Sequence, residues 1–338
     1  MKSTPVLRTL LLLALSFAAF SIHLASQEPE PTVSIVRLDP VFDKLVPKDA
    51  VLEKLASGYI WTEGPAWDRK HGYLLFSDTQ TNTVTKWEPK IGVSVFLKPS
   101  GYNGSEPFTG KEPGSNGLAF DKQGRLVLNQ HGNRRIARLE ADGKQTVVAD
   151  RYEGKRFNSP NDLAIKSNGD IYFTDPAYGL PKQLDDPQKE IPFQGVYRVS
   201  TNGKVTLLDK DLKAPNGIAF SPDEKTLYTS DTIEGKWWAY DVQKDGSVTN
   251  KRLFFDGNDL KKEGPGAPDG MKADAQGNIF ATGPGGILVI SPNGKLLGRF
   301  SMGVPTANCG WGEDGSTLFI TANHNLYRIK LNIKGAGW

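Results

Sequence analysis

A polar residue followed by a short apolar run recurs six times along this chain of 338 residues. In five of the six units, a glycine follows the polar residue directly or one position later. Successive units begin 39 to 55 residues apart, a period typical of propellers and other arrays of repeated supersecondary units. The six openings are Glu63-Gly64, Asn116-Gly117, Asn161-Asp162, Asn216-Gly217, Asp269-Gly270 and Asn308-Cys309-Gly310.

Each unit continues as short runs of apolar, β-branched and aromatic residues separated by turns, which is the pattern of β-strands. Turn pairs such as Asp142-Gly143 and Asn202-Gly203 fit tight hairpins between the later strands of a unit. No segment carries a long apolar stripe of helical period. We therefore predict an all-β fold, a six-bladed β-propeller with one unit in each blade.

The sixth unit ends after its third strand, near Leu331, so its fourth strand is missing at the C-terminus. An N-terminal strand, either residues 32–38 or residues 51–55, could supply it. Such a strand would close the ring and remove an open sheet edge, which is prone to pair with other chains. We predict that an N-terminal strand closes the propeller and that residues 27–338 form one domain.

The first 26 residues have the composition of a secretory signal peptide. Lys2 and Arg8 form a basic start, residues 10–20 are apolar, and Ala25 and Ser26 are small residues before an acidic, Pro-rich segment. A membrane anchor is the alternative, but the apolar run is about half the ~20 residues that a membrane span needs. We predict a cleaved signal peptide over residues 1–26 and no stable membrane anchor.

Charge and cysteine content narrow the class of protein. The formal net charge is +3, which is too small for the basic footprint of a nucleic-acid-binding protein. Cys309 is the only cysteine, so no intrachain disulfide can form. An exported chain without disulfides fits a bacterial periplasm better than a eukaryotic extracellular space, and we therefore predict a periplasmic location.

Two segments, residues 100–114 and 176–192, interrupt the repeat. They are rich in Gly, Pro or charged residues. Loops of this length in a compact repeat fold are usually functional. We expect them to form lids or rims of a site, with a tolerated surface insertion as the alternative.

The first residue of every unit carries a side-chain oxygen, and none is Lys, Arg, His or Cys. Equivalent positions of the blades line the central channel of a propeller, so these oxygens should converge. Carboxylate and carboxamide oxygens suit a hard cation such as Ca²⁺, whereas a Zn²⁺ site would want His or Cys ligands. The alternative is that these are ordinary turn pairs whose side chains cap their own backbone. The series is Glu63, Asn116, Asn161, Asn216, Asp269 and Asn308.

Five motifs, in this order, resemble those of the gluconolactonase, senescence marker protein and luciferin-regenerating enzyme family. The resemblance covers roughly residues 50–330. It implies a six-bladed propeller with one metal in its tunnel and the hydrolysis of sugar lactones as its activity. The motifs are Thr62-Glu63-Gly64-Pro65-Ala66-Trp67, Phe157-Asn158-Ser159-Pro160-Asn161-Asp162, Phe173-Thr174-Asp175-Pro176 with Tyr178-Gly179-Leu180, Ala214-Pro215-Asn216-Gly217-Ile218-Ala219-Phe220-Ser221 and Pro268-Asp269-Gly270-Met271.

The resemblance also implies roles for individual residues. Asp269 matches the acid/base residue of the family as well as a metal ligand, whereas Asn116 and Asn308 share the repeat but lie outside the usual ligand set. Some members carry an Arg shortly before the residue equivalent to Asn161, where this chain has Asn-Ser-Pro at residues 158–160. One divalent cation is implied, Ca²⁺ first, with Zn²⁺, Mg²⁺ or Mn²⁺ as alternatives. The residues that match the metal ligands are Glu63, Asn161, Asn216 and Asp269.

The chemistry of such a site agrees with the hydrolysis of a lactone, which is an activated ester. A cation would act as a Lewis acid on the carbonyl oxygen and lower the pKa of a water molecule. Asp269 would take a proton from that water and return it to the ring oxygen. The chain has no Gly-x-Ser-x-Gly nucleophile elbow, so covalent catalysis by serine is disfavoured.

Substrate contacts are predicted for residues near the ends of second strands, because these ends can reach back to the channel mouth. The alternatives are a surface or satisfied core position for each histidine and a turn position for each carboxylate. Trp61, just before Glu63, is the best candidate among the tryptophans for stacking on a sugar, whereas the others are expected in blade cores. The candidates at these strand ends are His131, Asp175, Asp231 and His324, and Asn116, from the start of the second unit, is a further candidate for substrate contact.

Two other functions stay open at this point. The same site could hydrolyse other esters or phosphotriesters. The cation could instead be structural, in a non-catalytic propeller that binds a carbohydrate or a partner protein. An enzyme needs an accessible cation position inside a pocket, whereas a binding module does not.

Overall fold

Antiparallel β-sheet makes up nearly all of the regular structure in the computed structural model, which describes residue 1 and residues 31–338. The predicted signal peptide, residues 1–26, lies outside the described residues except for Met1, so it stays a prediction. Within the described part of the chain, no helix is long and apolar enough to cross a membrane.

Three elements precede the first blade: β1 (Ser34–Arg37), the short helix α1 (Phe42–Leu45) and β2 (Glu53–Ser57). Two 3-10 helices, Gln183–Asp185 and Asn258–Glu263, lie in loops between strands. The other strands follow in chain order, blade by blade.

Blade 1 contains β3 (Thr62–Asp68), β4 (Tyr73–Asp78), β5 (Thr83–Glu88) and β6 (Gly92–Leu97). Blade 2 contains β7 (Ser115–Phe120), β8 (Leu126–Gln130), β9 (Arg135–Leu139) and β10 (Gln145–Ala149), and a small hairpin of β11 (Arg151–Tyr152) and β12 (Lys155–Arg156) follows it. Blade 3 contains β13 (Leu163–Ile165), β14 (Ile171–Asp175), β15 (Gly195–Val199) and β16 (Val205–Asp209).

Blade 4 contains β17 (Pro215–Phe220), β18 (Thr226–Asp231), β19 (Lys236–Val242) and β20 (Val248–Asp256). Blade 5 contains β21 (Met271–Ala273), β22 (Ile279–Gly283), β23 (Gly286–Ile290) and β24 (Leu296–Ser301). Blade 6 contains β25 (Thr306–Gly312), β26 (Thr317–Ala322) and β27 (Asn325–Lys330) from the C-terminal end of the chain. The predicted all-β, six-bladed propeller is confirmed.

The ring is closed by β2, which pairs with β27 and is the fourth strand of blade 6. Of the two N-terminal candidates, the second is therefore correct. The first, β1, pairs with β24 and adds a fifth strand to blade 5. The helix α1 lies between the two strands, and its Phe42 and Leu45 are buried in one apolar cluster with Phe300 of blade 5 and Ile329 of blade 6. This packing directs the chain from one blade to the next.

Aromatic side chains fill the interfaces between blades. Trp67 of blade 1 stacks on Phe319 of blade 6, with ring centroids 5.6 Å apart, and this contact joins the two ends of the ring. Trp237 is fully buried, and Trp87 and Trp311 are nearly so. These tryptophans are core residues, as their strand positions predict, and their burial supplies much of the hydrophobic stabilisation of the blades.

Candidate functional site

A cavity of about 320 Å³ lies where the first strands of the blades meet. Five of the six predicted oxygen-bearing residues line it, and only Asn308 does not. The convergence that the repeat predicts is therefore present in the structure. The lining residues are Trp61, Glu63, Glu112, Asn116, Asn161, Tyr178, Asn216, Thr232, Gly266, Ala267, Asp269, Pro305 and Thr306.

Four buried carboxylate or carboxamide oxygens at this cavity have no hydrogen-bond partner among residues 31–338. Leaving a buried polar atom without a partner costs about 1–3 kcal/mol, so four such atoms around one cavity indicate a ligand that they bind together. Ordinary turn pairs would instead cap their own backbone. The four atoms are Oδ1 of Asn116, Asn161, Asn216 and Asp269.

Glu63 adds a carboxylate to these oxygens. Only 2% of its surface is exposed. Its Oε2 accepts hydrogen bonds from the Gly64 amide at 3.2 Å and from the Asn308 side chain at 3.4 Å. Burial raises the pKa of Glu63, and the charges of Asp162 and Glu112 raise it further. The buried site therefore disfavours a negative charge unless a positive charge is bound there.

Asp269 is, like Glu63, an acid whose pKa is raised by burial. By surface area it is half-buried, because it faces the cavity, yet protein surrounds that cavity and the carboxyl group lies deep in it. Burial raises the pKa of Asp269 well above its usual range, and the nearby charge of Glu63 is the next largest cause. Two buried acids with raised pKa values in one cavity need a cation or protons.

Asn308 lies one layer below the cavity. Its side-chain amide contacts Oε2 of Glu63 and Oδ2 of Asp162, and its own oxygen accepts from the Cys309 amide. Lys272 approaches the same Asp162 oxygen at 3.7 Å. Asn308 therefore supports Glu63 instead of facing a ligand, and Cys309 is a small buried core residue.

The strand pairing is irregular beside two of the cavity residues, Glu63 and Asn216. The register of β3 shifts after Glu63, and that of β17 shifts between Pro215 and Ile218, around Asn216. Such bulges interrupt the alternation of a strand and re-aim a side chain. Asn216 is also oriented by Thr232, whose hydroxyl accepts from its Nδ2 at 3.2 Å and so leaves Oδ1 free at the cavity.

The second strand of the preceding blade holds the backbone of three cavity residues, Asn116, Asn216 and Asp269. The Ser77 hydroxyl donates to the Asn116 carbonyl at 2.9 Å, and the Thr174 hydroxyl donates to the Asn216 carbonyl at 2.6 Å. The Ser230 hydroxyl likewise donates to the carbonyl oxygen of Asp269 at 2.9 Å. Short polar residues at this strand position could have identified these contacts in the sequence.

The glycines of the repeat allow the blades to approach each other at the axis. A Cβ atom at Gly217 would lie 2.1 Å from the Asp269 carbonyl oxygen, and one at Gly64 would lie 2.2 Å from the Asn116 carbonyl oxygen. Because both distances are far below van der Waals contact, no other residue fits without moving the backbone of Asp269 or Asn116.

Asp175 and Asp231, two of the residues predicted to contact substrate, do not line the cavity. Both carboxylates are fully buried and accept backbone hydrogen bonds. Asp175 binds the amides of Asn158 and Ser159 at 2.8 Å each. Asp231 binds the amides of four other residues. They hold the loops that lead into the first strands. This is the alternative stated for each carboxylate in the sequence analysis, a position in a turn.

The two candidate histidines lie in different environments, and neither lines the cavity. His324 is exposed, and its Nδ1 contacts the Tyr59 carbonyl oxygen at 2.9 Å. His131 is fully buried, and its Nδ1 lies 2.8 Å from Oε2 of Glu112, which does line the cavity. Direct substrate contact stays a prediction for both histidines, and the structure links His131 to the cavity only through Glu112.

Sequence analysis missed Glu112 and Tyr178 as individual residues. Both belong to the two insertions, residues 100–114 and 176–192, and both line the cavity. Their long, irregular loops give no strand pattern from which a side-chain direction could be inferred. The expectation that the insertions form rims of the site agrees with these positions. Trp61 also lines the cavity, and its Nε1 lies 3.5 Å from Oε1 of Glu63.

The donor set fits a hard cation. Among residues 31–338, no cluster of three or more His, Cys, Asp or Glu residues has a metal-binding arrangement. The cavity is instead lined by three carboxylates, those of Glu63, Glu112 and Asp269, and by three carboxamides, all of them oxygen donors of the type that Ca²⁺ or Mg²⁺ prefers. A cation at this place would satisfy the unpaired oxygens and offset the charges of Glu63 and Asp269.

Comparisons with known proteins agree with this architecture. The family described as SMP-30/Gluconolactonase/LRE-like region matches residues 61–324. The chain is 41% identical over 314 residues to a gluconolactonase of Zymomonas mobilis subsp. mobilis, with 89% of this chain and 87% of that protein covered. It is 30% identical over 267 residues to 6-deoxy-6-sulfogluconolactonase of Pseudomonas putida, with 77% and 82% covered.

A solved structure extends the similarity to the fold. The crystallised gluconolactonase of Xanthomonas campestris superposes on this chain with a TM-score of 0.77 at 32% sequence identity. The superposition covers 89% of this chain and 96% of that one.

Proposed function

The chain belongs to the SMP-30/Gluconolactonase/LRE-like family, and on this premise we propose that it hydrolyses a sugar lactone in the central cavity. The observation that carries the proposal is the convergence of Glu63, Asp269 and three asparagine oxygens on one cavity, with four oxygen atoms unpaired. The names of the relatives support the substrate class, since they include a gluconolactonase and a 6-deoxy-6-sulfogluconolactonase. A cavity of about 320 Å³ is also large enough for a single sugar ring.

We propose that one divalent cation, Ca²⁺ in the first place, is held by side-chain oxygens of this cavity. Its chemistry there would be to neutralise the two carboxylates and to polarise the carbonyl group of the substrate. Asn116 has its Oδ1 free at the same cavity and is available either to the cation or to the substrate. The proposed ligands are Glu63, Asn161, Asn216 and Asp269.

Asp269 is the proposed general base. Its Oδ1 has no protein partner and faces the cavity, so a water molecule can bind to it. As a carboxylate it accepts a proton from that water while the oxygen attacks the carbonyl carbon, and it returns the proton to the ring oxygen when the ring C–O bond breaks. Glu63 is less suited to this role, because its Oε2 is already engaged by Gly64 and Asn308.

The test is the hydrolysis of D-glucono-δ-lactone by the purified protein, followed by pH-stat, with and without a chelator. We expect activity to fall on chelation and to return with Ca²⁺. Asp269→Asn, compared at saturating cation, should lower kcat by about 10²–10⁴-fold, as loss of a general base does. The matched control is Asp223→Asn, at an exposed turn of blade 4, which should keep the parent rate.

Two results would contradict the proposal. If Asp269→Asn kept the parent rate at saturating cation, Asp269 would not be the base. If the parent protein were inert toward sugar lactones, other lactones and phosphotriesters alike, a binding propeller with a structural cation would be the better interpretation.

A further inference from the structure

Part of the cavity wall outside the oxygen cluster comes from the two insertions. Here "oxygen cluster" means Glu63, Asn116, Asn161, Asn216 and Asp269. Glu112 comes from residues 100–114 and Tyr178 from residues 176–192, and the two side chains line both the cavity and an adjoining depression of about 250 Å³. Neither residue belongs to the sixfold repeat, so the framework of the propeller does not require them.

The Glu112 carboxylate is held from behind by a buried histidine. Its Oε2 lies 2.8 Å from Nδ1 of His131, which is fully buried. Gly179 of the other insertion packs on this histidine so closely that a Cβ atom there would lie 2.7 Å from the His131 Cβ. Among the described residues, Oε1 of Glu112 has no hydrogen bond. One oxygen is therefore anchored and the other remains available as an acceptor at the cavity.

Tyr178 supplies the complementary group. Its ring is half-buried and its hydroxyl is buried without a hydrogen-bond partner among residues 31–338. Thr232 lies near this hydroxyl, but its Oγ1 already donates to the Pro268 carbonyl oxygen at 2.7 Å and accepts from Nδ2 of Asn216 at 3.2 Å. Burial raises the pKa of Tyr178 far above neutrality, so the group remains protonated and can donate.

We propose that Glu112 and Tyr178 form a subsite that binds hydroxyl groups of the lactone, with His131 as the residue that positions Glu112. The inference rests on the proposed function and extends it to the recognised part of the substrate. A sugar hydroxyl both donates and accepts a hydrogen bond, and the subsite offers one free carboxylate oxygen and one unpartnered hydroxyl donor. Polar groups that are buried without partners discriminate strongly against substrates that cannot satisfy them.

The test compares two lactones that share a six-membered ring, D-glucono-δ-lactone and δ-valerolactone, which lacks hydroxyl groups. A hydrogen bond to a charged group is worth about 1.5–3 kcal/mol and one to a neutral group about 0.5–1.5 kcal/mol. Glu112→Gln should therefore lower kcat/KM for the gluconolactone by roughly 10–100-fold, and Tyr178→Phe by about 3–10-fold. Both variants should change kcat/KM for δ-valerolactone by less than about threefold.

Matched controls lie in the same insertion as Glu112. Glu106 is exposed, and the Tyr102 hydroxyl donates to the Glu106 carbonyl oxygen on an exposed turn. Glu106→Gln and Tyr102→Phe make the same chemical changes without touching the cavity and should leave both lactones unaffected.

His131 is tested through its coupling to Glu112. His131→Asn should reduce kcat/KM for the gluconolactone selectively. The double variant of His131→Asn with Glu112→Gln should have the same kcat/KM as Glu112→Gln alone, because both substitutions remove the same contact between His131 and Glu112. A merely structural role of His131 would lower the rates for both lactones and add to the effect of Glu112→Gln.

The outcomes separate this inference from the proposed function. If the parent hydrolyses the gluconolactone and the Glu112 and Tyr178 variants lose nothing, or lose equally on both lactones, the subsite is refuted while lactone hydrolysis stands. If the parent is inert toward every lactone, the proposed function fails and the subsite fails with it.

Discussion

A substitution at Ser230 tests how blade 4 holds the backbone of Asp269, the proposed base, in blade 5. Its hydroxyl accepts a hydrogen bond from the Gly217 amide at 2.8 Å and donates one to the carbonyl oxygen of Asp269 at 2.9 Å. Ser230 is fully buried and is the next-to-last residue of β18. One side chain therefore connects the backbone beside Asn216 in blade 4 to the proposed base in blade 5.

The change to make is Ser230→Ala, which removes both hydrogen bonds and leaves a buried N–H and a buried C=O without that partner. Each unsatisfied group costs about 1–3 kcal/mol, so the free energy of unfolding should fall by about 2–6 kcal/mol for the two groups. Residues that orient metal ligands from behind typically affect metal affinity by about 10–100-fold. We therefore expect Ca²⁺ affinity to fall by at least about tenfold.

The assays are urea unfolding in the presence of chelator and calorimetric titration with Ca²⁺. Ser247→Ala is the control: it removes a hydrogen bond to Asp245 on an exposed hairpin of the same blade and should cost no more than about 0.5 kcal/mol. If Ser230→Ala unfolds within about 0.5 kcal/mol of the parent and binds Ca²⁺ equally well, the contact between these blades does not support the site.

Two further predictions concern the same ring. Asn161→Ala and Asn216→Ala should each weaken Ca²⁺ binding in calorimetric titration without changing the thermal midpoint of the chelated protein, because each removes one neutral oxygen that water can replace; equal affinity in both would remove them from the ligand set. Gly217→Ala should destabilise the fold by about 3 kcal/mol or more, because the new Cβ would lie 2.1 Å from the Asp269 carbonyl oxygen, and a normally stable variant would show that the blades can separate there.

The repeated pattern of the sequence was sufficient for the architecture and for most of the candidate site. A propeller places equivalent residues around one axis, so a polar residue that recurs at the start of each unit must point toward the others. The missing strand of the sixth unit required closure from the N-terminal region for the same reason. Local composition could not choose between the two N-terminal strands, because both are short and strand-like. That choice depends on how Phe42 and Leu45 pack between blades 5 and 6.

Tertiary structure alone decided which polar residues face the cavity. Asp175 and Asp231 carry the right chemistry, but the amides of the preceding loops occupy their carboxylates. Glu112 and Tyr178 lie in insertions without any period, and only the folding of both loops over the channel brings them to one wall. A periodic strand determines the direction of its side chains from local geometry, whereas the direction of a loop side chain depends on contacts with residues distant in the sequence.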